Sequence, residues 1–315
     1  MQKTSKFKRA IAFVALSAAA ASAAALPTTP GNLLVSDLDA GVLNEYTRSG
    51  SLVQQFNIPA AGGYWHDLRD VVQGSDGQIH MFNGTFSPAL TTLNPTTGAI
   101  TNRTFEGWST ANNISYGGIA VQGNYAFVTD MFTYGGGEPS GIVRFDLTTG
   151  SAVRFAEGTN YDDLTLGLDG LLYAGLSVYD PITLSQVRSL SFYPSGDVRG
   201  RAVNAAGDIF TADWAGRVAR YNSQGQLLGS VWTGESLTDI DINAAGELVL
   251  GSRSGTVLLA DQSLSGFSSF QIGSSYGPTV HVAFTAAPVP EPTTYAMLMA
   301  GLGVVAFVAR RKRKA

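Results

Sequence analysis

Six stretches, far apart along the chain, each place ionisable side chains at the start of an apolar run. They are His66, Asp67, Arg69 and Asp70; Tyr116; Asp162 and Asp163; Asp197, Arg199 and Arg201; Asp239 and Asp241; and His281. If the fold brings these stretches to one ring, two chemistries are open to them. Clustered carboxylates suit a hard cation such as Ca2+, which makes Asp70, Asp163, Asp239 and Asp241 the metal candidates. His66 or His281 beside a carboxylate makes an acid/base pair. The ligand-contacting candidates are His66, Asp67, Arg69, Tyr116, Arg199, Arg201 and His281. A plainer role competes with both chemistries: Arg and Asp at the mouth of a narrow channel pair with each other, as Arg69 with Asp70 or Arg199 with Asp163. Trp65, Trp108, Trp214 and Trp232 are candidate sugar-stacking platforms, although packing between sheets suits most of them equally well.

No catalytic motif accompanies these residues. The chain has no Gly-x-Ser-x-Gly, P-loop, His-Glu-x-x-His or EF-hand pattern. It has no cysteine among its 315 residues, so a disulfide scaffold and a cysteine zinc site are excluded. No catalytic residue and no organic cofactor is assigned from sequence.

The elements that would position such a ring are repeats. A unit of strand, turn, strand, short gap, strand, turn, strand recurs. The clearest copy reads GRAVNAAGDIFTADWAGRVARYNSQGQLLGSVW, followed by TDIDINAAGELVLGSRSGTVLLADQSLSGFSSF. The first turn of each unit falls at Gly31, Gly77, Asn124, Gly170, Gly207 and Gly246, where tight hairpins favour residues that accept positive φ. Apolar residues alternate or run in short blocks between turns, and no stretch of the body keeps a helical period. Four-stranded repeats of roughly 40 residues predict a β-propeller, and six turns predict six blades. An open β-solenoid or a pair of sandwiches is the alternative. The first copy lacks its opening strand, and the last strand, at 278–286, has no copy after it. Pairing the two closes the ring and removes exposed sheet edges. Asp37, Asp130 and Asp213 recur six residues after the turn, an expected blade-internal device in which a carboxylate accepts backbone N–H groups.

Charge separates the body from the ends. Four basic residues lie in positions 1–9 and five in 310–314; the eleven others are all arginines. Against 23 acids in residues 10–287 they leave the body twelve charges to the negative. So acidic a body repels nucleic acid and anionic membrane surfaces.

Residues 1–25 read as a secretory signal peptide: a basic start, an alanine-rich apolar stretch, and small residues at Ala23 and Ala25 before Leu26. At the other end, residues 295–309 are apolar, about 22 Å of helix at about 1.5 Å per residue. That is a short transmembrane helix against a hydrocarbon core of about 30 Å. The basic cluster after it would stay cytoplasmic.

Pro290, Glu291 and Pro292, the apolar helix, and the cluster Arg310, Arg311, Lys312, Arg313 and Lys314 together resemble the PEP-CTERM sorting signal. The resemblance implies export in a Gram-negative, exopolysaccharide-producing cell. It also implies recognition by an exosortase, a membrane protease. The repeat GRAV…GDIFTADWAGRVARY is similar to the NHL-type propeller repeat, which supports the fold rather than an activity.

The expected organisation is thus a signal peptide at 1–25, an all-β six-bladed propeller at 26–287, and a sorting signal at 288–315. The expected function is an exported propeller of the cell surface or extracellular matrix, binding or structural, with exopolysaccharide as partner. The inner membrane would hold it through the C-terminal helix before processing. The alternative is a calcium-assisted lactonase- or lyase-like enzyme using the acidic channel mouth.

Overall fold

The computed structural model describes residues 26–286, apart from 39, 61–67, 84–88, 107–116, 131–139, 160, 192–196 and 273–278. The sequence reads there as 24 strands in six antiparallel sheets of four. The first blade holds β1 (Leu33–Asp37), β2 (Val42–Tyr46) and β3 (Leu52–Asn57). The second holds β4 (Leu68–Gln73), β5 (Ile79–Asn83), β6 (Ala89–Leu93) and β7 (Ile100–Arg103). The third is β8 (Ile119–Gln122), β9 (Tyr125–Asp130), β10 (Gly141–Asp146) and β11 (Ala152–Phe155). The fourth is β12 (Leu164–Leu166), β13 (Leu172–Ala174), β14 (Ser177–Tyr179) and β15 (Gln186–Ser189). The fifth is β16 (Val198–Val203), β17 (Ile209–Asp213), β18 (Arg217–Tyr221) and β19 (Leu227–Trp232). The sixth is β20 (Leu237–Ile242), β21 (Glu247–Ser252), β22 (Thr256–Asp261) and β23 (Phe267–Gln271).

One strand remains, β24 (Val280–Phe284), and it closes the ring. It pairs with β1 from Leu33 opposite Phe284 to Asp37 opposite Val280, so the first blade runs β24-β1-β2-β3. The expected six blades and their closure by the two end segments are both found. The turn of the third blade differs by one position: the residue at positive φ is Gly123, at +54°, not Asn124. Glycine takes that conformation without the Cβ clash that asparagine would meet.

Burial follows strand order. The second strand of each blade is almost wholly buried, as in β1, β5 and β17, whereas the outermost strands are mostly exposed or half-buried. The core lies between neighbouring blades. Leu34, Leu43 and Ala283 of the first blade pack with Leu68, Val71 and Met81 of the second. Phe210 and Val218 of the fifth pack with Leu248 and Leu250 of the sixth. Each sheet has two apolar faces and exposes neither, so the blades hold only as a ring.

The recurring aspartates divide. Asp213 Oδ1 accepts the N–H of Arg217 at 2.8 Å, and Asp37 Oδ1 accepts that of Ala40 at 3.2 Å. Both act inside their own blade, as expected. Asp130, also within its own blade, pairs with Arg154 of β11.

The six inner strands run the same way. They begin at one face, the mouth, where Arg69, Arg199, Thr238 and His281 lie, and end at the opposite face with the turns of Gly77, Gly170, Gly207 and Gly246. Among the described residues no helix is long and apolar enough to cross a membrane. The expected signal peptide and C-terminal helix lie outside those residues.

Candidate functional site

The residues three before the end of each inner strand, or four before it in β8, form one level of the channel. The residues are Asp70, Gly118, Asp163, Gly200, Asp239 and His281, starting from the second blade and ending at the first. Carboxylate and glycine alternate, with histidine in the last place.

The alternation has a steric and a polar half. Asp70 Oδ1 accepts the N–H of Val71 and Oδ2 that of Ile119 on the next blade, both at 2.7 Å. Asp239 repeats this with Ile240 at 2.7 Å and Val282 at 2.8 Å. Asp163 faces the N–H groups of Leu164 and Arg201, yet its Oδ2 has no hydrogen-bond partner among the described residues. At the intervening glycines the backbones approach too closely for a side chain. A Cβ on Gly118 would sit 2.3 Å from the nitrogen of Leu164, and one on Gly200 2.7 Å from that of Ile240. The carboxylates of Asp70 and Asp239 therefore clasp blade two to three and six to one, Asp163 stands at the matching place between four and five with Oδ2 unpartnered among the described residues, and glycine brings blade three against four and five against six. Asp241 adds a second clasp between β20 and β24, accepting from Ile242 at 2.7 Å and Phe284 at 2.8 Å.

These carboxylates line a cavity of about 130 Å³ in the channel, together with Arg201. Burial pushes Asp70 well above the ordinary carboxylate range, and Asp239 nearby pushes it further. Burial does the same to Asp239, with Asp163 and Asp241 adding to it against the N–H bonds it accepts. Asp163 rises to about 6 through burial, opposed by Arg201, and Asp241 to about 6 through burial. Burial and the Arg69 guanidinium press His281 down to about 3, so its imidazole is neutral at physiological pH. One oxygen each from Asp70 and Asp239 and one nitrogen of His281 lie within 4.8 Å of one another.

Above this level the mouth opens into a pocket of about 350 Å³. Its polar wall is cationic: Arg69, Arg199 and Arg253, with Asp162 the acid among its lining residues. Burial raises the pKa of Asp162, and Arg199 opposes the rise. Two guanidiniums lie over the ring of Trp214, Arg199 at 5.0 Å and Arg253 at 5.1 Å from its centroid. Arg199 is also paired with Asp197. Arg253 is exposed and has no carboxylate partner among the described residues.

The structure thus sorts the expected site residues into two sets. Arg69, Arg199 and His281 line the mouth; Asp70, Asp163, Arg201, Asp239 and Asp241 line the channel below. His66, Asp67, Tyr116, Trp65 and Trp108 lie outside the described residues. The expected pairing of Arg199 with Asp163 is not formed. Asp197 is two residues from Arg199 on the same blade and takes it, which leaves Asp163 facing Arg201. Trp214 proves to be the tryptophan of the pocket, whereas Trp232 stands 65% exposed on the outermost strand β19. Sequence reasoning missed Arg253, Thr238, Gly118 and Gly200. Arg253 and Trp214 both directly follow the end of a second strand, a shared position that identifies them.

Residues 288–314 match the PEP-CTERM protein-sorting motif. The motif is recognised by exosortases, which are membrane proteases, and marks an exported chain that is anchored in the membrane before processing. No curated protein matches the chain.

Proposed function

We propose that this exosortase-sorted propeller is a binding module for an anionic polysaccharide of the extracellular matrix, taken at the mouth. The observation that carries the reading is the pair of guanidiniums held over Trp214, with Arg69 across the same pocket, on a body otherwise rich in acids. Three arginines stand at one opening of such a body, and Arg253 among them has no carboxylate partner among the described residues. A guanidinium offers two parallel N–H groups to a carboxylate or a sulfate ester. The tryptophan ring fixes where two of those forks stand. A cavity of about 350 Å³ lies within the usual span of small-ligand sites, about 300–1,000 Å³. The exported destination is in keeping with this ligand class, since acidic sugars occur in extracellular matrices.

Affinity electrophoresis of the full chain through gels containing polygalacturonate or dextran tests this. Retardation by the uronate polymer alone, weakened at least tenfold by Arg253→Ala and by Trp214→Ala, is the expected result. Equal behaviour in the two gels would overturn the assignment.

A further inference from the structure

At the floor of the mouth, which His281 also lines, we propose a divalent-cation site formed by Asp70, Asp239 and His281 with Asp163 beside them. Three donor atoms on three different blades converge within 4.8 Å, and His281 Nδ1 stands 3.8 Å from Asp239 Oδ2. Two carboxylates and an imidazole are the donor set of Zn2+ or Mn2+ rather than of Ca2+, which takes oxygen ligands. Bonds of about 2.0–2.2 Å to such an ion require the donors to draw together by about 1 Å. The His281 side chain can supply that movement, since none of the clasps depends on it.

A second observation points to the same place. Asp163 is 9% exposed and lines the channel cavity, and its Oδ2 has no hydrogen-bond partner among the described residues. A buried carboxylate oxygen left without a donor is costly, and a cation or an ordered water removes that cost.

Charge argues for the cation. Asp70, Asp163 and Asp239 meet at one level, and Arg201 is the single guanidinium lining their cavity. With Asp241 on the same wall, four carboxyl groups face one guanidinium, an acidic excess that a divalent ion satisfies by taking the place of protons. Clasping alone does not explain the histidine. The neighbouring positions of the ring use glycine where no clasp is made, and only at blade one does an imidazole replace it.

The test uses the full chain in detergent micelles, stripped with a chelator and dialysed against Mn2+ or Zn2+. One ion per chain is expected, with the melting temperature rising by about 5 °C or more at a hundredfold excess over Kd. His281→Ala, with each binding measurement referred to its own metal-free melting, should weaken binding at least tenfold. It should also erase the nitrogen hyperfine coupling of bound Mn2+ in pulsed electron paramagnetic resonance. Asp239→Asn should abolish stoichiometric binding. No bound ion at 100-fold molar excess, binding untouched by His281→Ala, or a site that takes Ca2+ alone would each overturn the proposal.

Discussion

Asp239 on β20 accepts the backbone N–H of Val282 on β24 at 2.8 Å, while its other oxygen holds the N–H of Ile240 at 2.7 Å. A single carboxylate thereby joins the last blade to the strand that completes the first. Asp241 does the same for Phe284 two residues on. The ring closure is fastened from the side by β20 as well as edgewise by β1.

This fastening predicts what loss of a carboxylate does. Asp241→Asn keeps the size but offers one acceptor where two N–H groups need one each. Denaturant unfolding should show a loss of about 1–3 kcal/mol. The amide of Phe284 should exchange faster, while amides of the fourth blade keep their protection.

The glycine half of the ring makes a separate prediction. Gly118→Ala would set a methyl 2.3 Å from the backbone nitrogen of Leu164, a neighbour that cannot rotate away. Destabilisation of about 3 kcal/mol or more is expected. Gly170→Ala is the comparison: its φ is +82° and nothing lies within 4 Å of the added Cβ. Only backbone strain of about 1–2 kcal/mol applies there. Thermal melts of the two variants should fall in that order, and the reverse order would refute the close-approach account.

Acid should act through His80. The side chain is 1% exposed, its Nδ1 meets Thr92 Oγ1 at 3.1 Å, and its Nε2 has no hydrogen-bond partner among the described residues. Burial lowers its pKa to about 4, helped by Arg103 and opposed by Asp76. A depressed pKa means stability that is intact above about 6.5 and is lost as pH falls through about 4. The full difference is about 3 kcal/mol at about 1.4 kcal/mol per unit. Asp163 and Asp241 work in the opposite sense: raised to about 6, they contribute stability below about 4 that is lost as pH rises through about 6. The parent profile mixes both. The quantity to measure is therefore the parent minus His80→Gln, which should decline as pH drops from 6.5 to 4.

At the mouth, electrostatics sets the salt response. Binding of polygalacturonate should weaken as ionic strength rises, and Arg253→Ala should flatten that dependence without shifting the melting temperature, because the residue is exposed. A variant that unfolds, or a slope that stays unchanged, would separate Arg253 from the binding surface.

The blade count and the closure were legible because they rest on local signals. Turn glycines and strand lengths repeat along the chain, and the unmatched segments at its two ends have only each other to pair with. Asp70, Asp163 and Asp239 were legible as a set for the same reason. Their partners were not, because a clasp is defined by which backbone N–H of the next blade faces the carboxylate. That register is set by packing between blades. The bulges near Asp70, Gly200 and Asp239, where the pairing slips by one residue, move it further from what spacing shows. Gly118 and Gly200 looked like ordinary strand glycines until a neighbouring backbone filled the space of their missing side chain. Asn124 was mistaken for the turn residue because the turn of that blade is a residue shorter than in its neighbours.

The direction of β24 has one more effect. The strand begins at the mouth and ends on the far side of the wheel, where Thr285 bonds back to Thr29 and Asn32, and Ala286 to Gln73. The sorting motif starts at residue 288, at most about 7 Å of chain beyond Ala286. Leu26, the first residue described at the other end, bonds Gln54. Whatever grips the tail therefore holds the wheel from behind. The chain leaves the wheel for its sorting motif on the face opposite the arginine-lined mouth.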